Sequence, residues 1–367
     1  MKNFRPIVRR PQLESASSLD GKDPVIAQIY AARGATDTAD FDLFLKDLLP
    51  VSGLSNIEVA VDLLLAHKDQ SVLIVGDFDA DGATSSALVL RCLREFGFAQ
   101  VDYLVPNRFE FGYGLSPELV DIALKMQPSL IVTVDNGVSS IEGVARAREA
   151  GIAVLITDHH LPPETLPNAD VLLNPNLADE SFESKNLAGV GVAFYLMAAT
   201  GQRLESMGES GAKGIVAKYL DLVALGTVAD VVPLDRNNRI LIEAGLKRIR
   251  AGKTVPGILA ILAEAGRDYS RCVASDLGFA LGPRLNAAGR LEDMSVGIEA
   301  LICDQPARAR ELAAQLGDIN KRRRETESDM QADALQRVTD RFEDIARDDL
   351  PGALCLYEKH WHQGIVG

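Results

Sequence analysis

The chain has 367 residues, of which 47% are hydrophobic and 25% are charged, and its formal net charge is −14 at pH 7. This composition is typical of a globular protein of about two domains, and the negative charge excludes non-specific nucleic-acid binding through a global positive field. A local basic cleft or bound metal ions could still attract a phosphate. The cysteines have no paired spacing, so we expect reduced thiols rather than a disulfide or zinc site: Cys92, Cys272, Cys303 and Cys355.

Residues 1–50 form an expected appendage, in which the pattern Phe41–Pro50 predicts a helix ended by proline. From Ser71 onward, apolar runs predict strands at 71–76, 101–105, 129–134 and 152–157, with helices at about 84–96, 117–125 and 140–150. This alternation predicts βαβ units and an α/β fold, a parallel sheet flanked by helices. Polar side chains that follow the strands are candidates for a site because ligands of such sheets bind beyond the carboxyl ends of the strands.

Three carboxylates follow the first predicted strand at alternate positions: Asp77, Asp79 and Asp81. Like charges at such spacing are unfavourable unless a cation lies between them, and aspartate oxygens are preferred ligands of hard divalent ions. The alternative is a solvated acidic turn that caps the next helix.

Further polar residues come from other strands of the same sheet. Asp135 follows the third predicted strand, and Asp158, His159 and His160 follow the fourth. A later apolar segment carries Asp230, which needs a partner in such surroundings. Each of these signals alone is common in turns or caps, but together they predict a metal centre at one edge of the sheet.

Six aspartates and one or two imidazoles exceed the needs of a single ion. They suit two octahedral ions that share a bridging carboxylate and a bridging water, at a spacing of about 3.5 to 4 Å, which activates that water for attack on a phosphorus atom. A mixed shell of aspartate and histidine tolerates Mg²⁺ and favours Mn²⁺. We therefore expect two ions, Mn²⁺ or Mg²⁺, as cofactors.

These motifs resemble those of a known superfamily. The segments 77–82, 135–137, 158–160 and 227–230 resemble, in order, the motifs of the DHH phosphoesterases. Segments 75–85, 106–115 and 282–291 resemble those of its single-strand-specific exonucleases, and the similarity covers about residues 50–367. The resemblance implies a DHH domain at 51–300, a long connecting helix at 301–348 and, at 349–367, the beginning of an incomplete second domain, DHHA1.

The resemblance also implies an activity. It predicts hydrolysis of single-stranded DNA from the 5′ end to mononucleotides, in DNA recombination and repair, by a monomer in the cytoplasm without membrane contact. A single-strand-binding protein and a helicase are the implied partners. We expect the ending within DHHA1 to leave a complete metal site with an incomplete substrate clamp, and hence weak digestion.

Site residues can be assigned from the resemblance and from their chemistry. It implies five direct metal ligands, with Asp77 as a sixth ligand or an orienting group: Asp79, Asp81, Asp135, His159 and Asp230. His160 is the candidate for contacting the scissile phosphate or protonating the leaving oxygen. Asp158 is expected to hold an imidazole in the right tautomer.

Substrate contacts are expected outside the metal ligands. Arg108 suits a phosphate and Tyr113 a base, although this segment could instead be an aromatic loop packed on the sheet. Arg284, Asn286 and Arg290 lie in a glycine-rich segment expected to approach phosphate. The basic run 321–324 is better explained as a solvated helix face.

Two other classes of function stay open from the sequence. A different DHH enzyme, such as a pyrophosphatase or a phosphodiesterase of short or cyclic nucleotides, would share the metal ligands but lack the arginine-bearing segments. A non-catalytic binding module would have lost ligands, whereas every expected ligand is present here.

Overall fold

A computed structural model describes residues 19, 21, 23–107, 111–342, 351 and 353–366. The chain divides into two compact units, Met1–Leu48 and Leu49–Gly367. The predicted domain limits at residues 50, 300 and 348 stay predictions.

The first unit contains helix α1 (Pro24–Ala31), which Asp23 caps by accepting a hydrogen bond from Val25 N at 2.9 Å. The helix predicted over Phe41–Pro50 is wrong, since the chain there forms short 3₁₀ turns at Thr38–Phe41 and Leu45–Asp47. Short helices need a packed face to be stable. Here Phe44 keeps 49% of its surface exposed and has an extended backbone.

The second unit is built on a five-stranded parallel sheet, which confirms the predicted fold class. Four strands lie where the apolar runs predicted them, within one residue at each end, whereas the short β5 was not predicted. The strand order is β2-β1-β3-β4-β5. The strands are β1 (Ser71–Gly76), β2 (Gln100–Leu104), β3 (Leu130–Val134), β4 (Ala153–Thr157) and β5 (Val171–Leu173).

Helices cover the sheet. Leu73 and Val75 of β1 belong to a buried cluster with side chains of α4 and α5, while α3 and α6 also contact the strands. Every residue of β3 is buried, as expected for the interior of a parallel sheet. The helices up to this point are α2 (Ile57–Ala66), α3 (Ala80–Glu95), α4 (Pro117–Ala123), α5 (Ile141–Glu149) and α6 (Gly189–Ser206).

The rest of the unit is helical. A π-helical turn, Leu277–Leu281, leads directly into α11, and the long predicted helix is confirmed as α13. The helix begins at Pro306 rather than at residue 301, residues 343–348 of the prediction lie outside the described residues, and the start of a DHHA1 domain stays a prediction. These helices are α7 (Leu220–Ala229), α8 (Arg236–Arg250), α9 (Pro256–Glu264), α10 (Ala274–Asp276), α11 (Gly282–Leu291), α12 (Ser295–Ile302) and α13 (Pro306–Phe342).

Across the described residues, no single helix is both long and apolar enough for a membrane crossing. One bent pair of helical segments, Leu45–Gly53 with Ile57–Ala66, meets the requirement by length and composition only.

Candidate metal centre

The carboxyl ends of the strands bring the predicted ligands together. From β1 the chain moves to β2 on one side and to β3 on the other, so the strand order reverses between β1 and β3, where open α/β sheets bind ligands. Asp77 and Asp79 follow β1, Asp135 follows β3 and His159 follows β4. Asp230 joins them from the carboxyl end of α7, as the residue that caps this helix.

Three overlapping sets of ligand atoms each lie within 4.8 Å of one another. Asp135 occurs in two of them, and so does His159, so the sets form one continuous cluster. The sets are Asp77, Asp79 and Asp135; Asp81, His159 and Asp230; and Asp135, His159 and His160. We call Asp77, Asp79, Asp81, Asp135 and Asp230 the carboxylate cluster.

Three ligand atoms at the centre of these sets lie close together without hydrogen-bond partners in the described residues. His159 Nε2 lies 3.1 Å from Asp135 Oδ1 and 3.6 Å from Asp230 Oδ2. All three atoms are buried, and none has a hydrogen-bond partner among the residues that the structure describes. Burying such atoms without partners is costly, whereas a divalent cation would satisfy all of them. The residues present therefore fit a metal centre.

Electrostatics point in the same direction. Burial, followed by the charges of neighbouring aspartates, raises the pKa of Asp81 and of Asp135 well above the usual range. Burial and the charge of Asp79 raise the pKa of Asp230 to about 6. Burial, followed by the charge of His160, lowers the pKa of His159 to about 4, which keeps its imidazole neutral and able to bind a metal. The cluster thus binds protons readily when no cation is present.

Asp81 is held by the amino end of α6. Its Oδ2 accepts a hydrogen bond from Gly189 N at 2.6 Å, and its Oδ1 accepts one from Val190 N at 3.0 Å. A Cβ on Gly189 would lie 2.5 Å from Asp135 Cβ, so only glycine allows this approach. The sequence interpretation missed Gly189, although a glycine that begins an apolar helix is a readable signal.

Asp79 explains why α3 begins four residues earlier than predicted. Its Oδ1 accepts hydrogen bonds from Asp81 N at 2.9 Å and Gly82 N at 3.0 Å, which caps the helix at Ala80. Asp81 consequently lies in the first helical turn. The alternative interpretation as a capping turn is therefore correct for one oxygen of Asp79, and it coexists with the ligand arrangement.

His160 lies at the exposed rim of the cluster. Its Nδ1 is 2.8 Å from Asp158 Oδ1, and that hydrogen bond is the main cause of the raised pKa of His160. Tyr113 Oη lies 3.3 Å from both ring nitrogens of His160 and from the carbonyl oxygen of Asp135. Burial would raise the pKa of Asp158, but the hydrogen bonds from His160 and from Val138 N lower it overall.

Two asparagines after β5 fix the histidine segment and were not predicted. Asn176 Nδ2 donates to the carbonyl oxygen of His159 at 2.6 Å, and Asn174 Nδ2 donates to that of His160 at 2.8 Å. The signal in the sequence is the pair of asparagines around Pro175, which directly follows a short apolar run. Because β5 was not predicted, the role of the two asparagines that follow it was not predicted either.

The glycine-rich segment of α11 supports the loop that carries Asp77 and Asp79. Asn286 Oδ1 accepts a hydrogen bond from Ala80 N at 2.7 Å. A Cβ on Gly289 would lie only 1.7 Å from the carbonyl oxygen of Phe78. Asn286 was predicted to bind substrate, and the contact that the structure shows is with the protein itself.

The predicted substrate arginines are dispersed. Arg290 Nη1 donates to the carbonyl oxygen of Gly364 at 2.8 Å, and Arg284 Nη1 donates to that of Ala280 at 2.8 Å. Burial, followed by the charge of Arg324, lowers the pKa of Arg284. Arg108 lies outside the described residues. Within the basic run 321–324, Lys321, Arg322 and Arg324 are exposed, as a solvated helix face requires, whereas Arg323 is half-buried.

The fold and the cluster define a class of parallel α/β proteins that bind divalent metal ions where the strand order reverses. A family model described as "DHH family, N-terminal domain" matches residues 71–227. The single-stranded-DNA-specific exonuclease RecJ of Escherichia coli (strain K12) is 52% identical over 98% of this chain and 63% of its own length. The chain thus spans less than two thirds of that relative.

Solved structures agree. A crystal structure of RecJ in complex with Mn²⁺ from Thermus thermophilus has a TM-score of 0.79 and 31% identity, over 96% of this chain and 49% of that one. A crystal structure of exonuclease RecJ bound to manganese has a TM-score of 0.73 and 32% identity, over 86% of this chain and 76% of that one. The chain belongs to the DHH family and, within it, to the RecJ proteins.

Proposed function

We propose that this chain carries the catalytic centre of a metal-dependent exonuclease that digests single-stranded DNA from the 5′ end to mononucleotides, in DNA recombination and repair. The observation that carries the proposal is the cluster around Asp135, in which buried carboxylate oxygens and His159 Nε2 lack hydrogen-bond partners among the described residues. The similarity to RecJ proteins, including two solved with manganese, supports the choice of reaction.

The cluster and His159 provide enough ligand groups for two ions, Mn²⁺ or Mg²⁺. Asp77, Asp79 and Asp135 would hold one, while Asp81, His159 and Asp230 would hold the other. Asp135 would be available to both ions, since it belongs to the first group and its Oδ1 lies 3.1 Å from His159 Nε2 of the second. When bound, such a pair supplies a hydroxide at neutral pH and neutralises charge on the phosphate oxygens.

The protein's own contribution begins with orientation. Asp158 Oδ1 accepts from His160 Nδ1, which directs the other ring nitrogen of His160 away from Asp158. This hydrogen bond raises the pKa of His160 and so favours the protonated ring, which we propose delivers its proton to the leaving oxygen. Tyr113 Oη restrains the ring from the rim.

Substrate binding would extend beyond the metal ligands. Arg290 directly follows Gly289, which packs on the loop after β1, and we propose that its guanidinium group contacts a phosphate while Asn286 keeps that loop in place. We propose the same task for Arg108 and Arg284. By likeness to RecJ proteins, we further propose a cytoplasmic monomer that works with a single-strand-binding protein and a helicase.

The test uses a 5′-phosphorylated single strand with a label at either end, incubated with Mn²⁺ and the intact chain. We expect mononucleotides to leave from the 5′ end, while a duplex of the same sequence resists. Asp135→Asn should abolish both stoichiometric Mn²⁺ binding and hydrolysis. Asp69→Asn removes one exposed carboxylate and serves as the matched control. Bound Mn²⁺ without hydrolysis of any single strand, or release from the 3′ end first, would refute the proposal.

A further inference from the structure

Phe279 is an exposed aromatic side chain at the entrance to the α11 segment. It keeps 84% of its surface exposed, more than any other phenylalanine that the structure describes. A single exposed apolar side chain is common on protein surfaces, so exposure alone indicates no function. The position of Phe279 in the fold is what makes it informative.

The π-helical turn that carries Phe279 lies against the end of α7. A Cβ on Gly278 would lie 3.3 Å from Val228 Cγ1, and one on Gly282 would lie 3.2 Å from Ala229 Cβ. Val228 and Ala229 immediately precede Asp230, the metal-ligand candidate from α7. Two glycines therefore let the turn with Phe279 pack directly on the residues that precede Asp230 of the carboxylate cluster.

Phe279 also lies in line with the side of α11 that carries Asn286 and Arg290. Pro283, Asn286 and Arg290 line a cavity of about 260 Å³, and Phe279 precedes Pro283 by four residues, about one helical turn. The same side of this helical run thus begins with an aromatic ring and ends with a guanidinium group. Asn286 between them holds the loop after β1 through Ala80 N.

The backbone on both sides of this contact is unusual. Residues 277–281 form a π-helical turn, a feature often found at functional sites. Val231, which follows Asp230, has φ of +66° and keeps 83% of its surface exposed. A β-branched residue is strained in this region of the backbone map, so surrounding structure must hold it there.

We propose that the ring of Phe279 stacks on a base of the single strand whose phosphate is presented to the carboxylate cluster; this inference rests on the proposed function. Stacking on one aromatic ring holds any base, as an enzyme that digests a strand of any sequence requires. A guanidinium group farther along the same helix side complements the backbone phosphates. Even together with the exposed side chain of Val231, this ring is too small a surface for a stable protein interface, which favours a base as the occupant.

The test measures binding of single strands to the intact chain by fluorescence anisotropy, with EDTA present so that no strand is cut. One strand is intact, and the others each carry a single abasic site. Phe279→Ala should weaken binding of the intact strand about tenfold, which lies within the range known for loss of one stacked base. One abasic position should weaken binding of the unsubstituted protein by a similar factor but leave the Phe279→Ala variant unaffected.

Two further variants serve as controls. Phe279→Trp keeps an aromatic face and should restore binding, whereas Phe44→Ala removes a phenylalanine that is 49% exposed in the other compact unit and should change nothing. Equal binding by Phe279→Ala and the unsubstituted protein, or losses that add at every abasic position, would overturn the proposal.

A separate readout isolates the metal chemistry from stacking. An oligomer made only of abasic nucleotides is a phosphodiester without any aromatic ring, so with Mn²⁺ the Phe279→Ala variant should hydrolyse it at the rate of the unsubstituted protein. If neither protein hydrolysed this ester or a single strand, the proposed function would fail while the binding experiment still decided the role of Phe279. A loss of ester hydrolysis in Phe279→Ala alone would refute stacking as its task.

Discussion

Helix α7 carries a buried carboxylate near each end, and the two differ in what surrounds them. Asp221, in the first turn, accepts hydrogen bonds from Thr254 Oγ1 at 2.6 Å and from Val255 N at 2.9 Å. Asp230, at the other end, faces His159 and further aspartates, and its Oδ2 has no hydrogen-bond partner in the described parts of the chain. Burial raises the pKa of both carboxyls.

The difference separates a structural carboxylate from a functional one. Hydrogen-bond donors from the loop before α9 let Asp221 stabilise the fold without a metal ion. Asp230 lacks such donors and lies among like charges, so it contributes to stability only when a cation arrives. Each carboxylate keeps one buried oxygen without a hydrogen-bond partner among the described residues, Asp221 Oδ1 and Asp230 Oδ2, so the two donors to Asp221 Oδ2 are what distinguish them.

The largest expected effect is that of Asp230→Asn on activity. Loss of this ligand should weaken Mn²⁺ binding and lower hydrolysis of single-stranded DNA by at least about 100-fold, the upper range for groups that merely support a ligand. The free energy of unfolding without metal should be unchanged or higher because repulsion with Asp79 is relieved. Calorimetric titration with Mn²⁺ and urea unfolding in EDTA measure the two quantities. A large loss of metal-free stability would contradict the distinction.

Asp221→Ala should give the opposite pattern. It leaves the Thr254 hydroxyl and Val255 N without their acceptor, so the free energy of unfolding should fall by about 2 to 4 kcal/mol. Urea unfolding measures the loss. Hydrolysis per folded molecule should stay at the level of the unsubstituted protein, and a selective fall in that rate would assign Asp221 a functional role as well.

Asp230 and Asp221, at the two ends of α7, should contribute differently to the pH dependence of stability. A pKa of about 6 for Asp230 in the folded state exceeds the ordinary value near 4, so the folded protein binds more protons. This contribution is complete below pH 4 and is lost as pH rises through 6, which should lower the metal-free stability by about 1 to 3 kcal/mol.

Saturating Mn²⁺ sharpens this experiment. The ion takes the place of the protons, so the loss of stability with rising pH that Asp230 and its neighbours cause should vanish. Asp221 remains buried beside its donors, so its smaller slope should persist with and without the ion. Chemical unfolding between pH 4 and 8, with EDTA or with Mn²⁺, provides the comparison, and identical slopes in the two conditions would show that the cluster does not bind the ion.

The smallest effect is expected for Asn286→Ala, which acts on the cluster through the backbone. Removing its hydrogen bond to Ala80 N should cost about 1 kcal/mol of stability and loosen the loop that carries Asp77 and Asp79. Affinity for Mn²⁺ should fall about tenfold, as for other groups that orient ligands. Asn286→Asp keeps an acceptor oxygen and should recover most of the stability, which separates positioning from direct substrate contact.

Much of this arrangement was predictable because strand ends obey a simple rule. Runs of buried β-branched residues located four of the five strands, and parallel topology then required Asp77, Asp135 and His159 to meet at one edge. Asp230 was predicted from its apolar surroundings, where a carboxylate needs a partner, and from the resemblance of segment 227–230 to a DHH motif.

The parts that were not predictable depend on contacts between distant segments. Nothing near Gly189 in the chain reveals that it touches Asp135, and nothing near Asn286 reveals that it caps Ala80. The helix predicted over Phe41–Pro50 failed for the converse reason, because a local pattern does not form a helix without a surface to pack on.

The spread of the ligands along the chain affects when the site can exist during folding. Asp77 and Asp230 are separated by most of the sheet and by α6, so the carboxylates meet only after long-range contacts have formed. The carboxylates that follow β1 and β3 already repel one another once the sheet has formed, and Asp230 adds to this repulsion when α7 docks. A nascent chain needs no metal to build the sheet, and ion binding then stabilises the docked helix against the repulsion that its own arrival added.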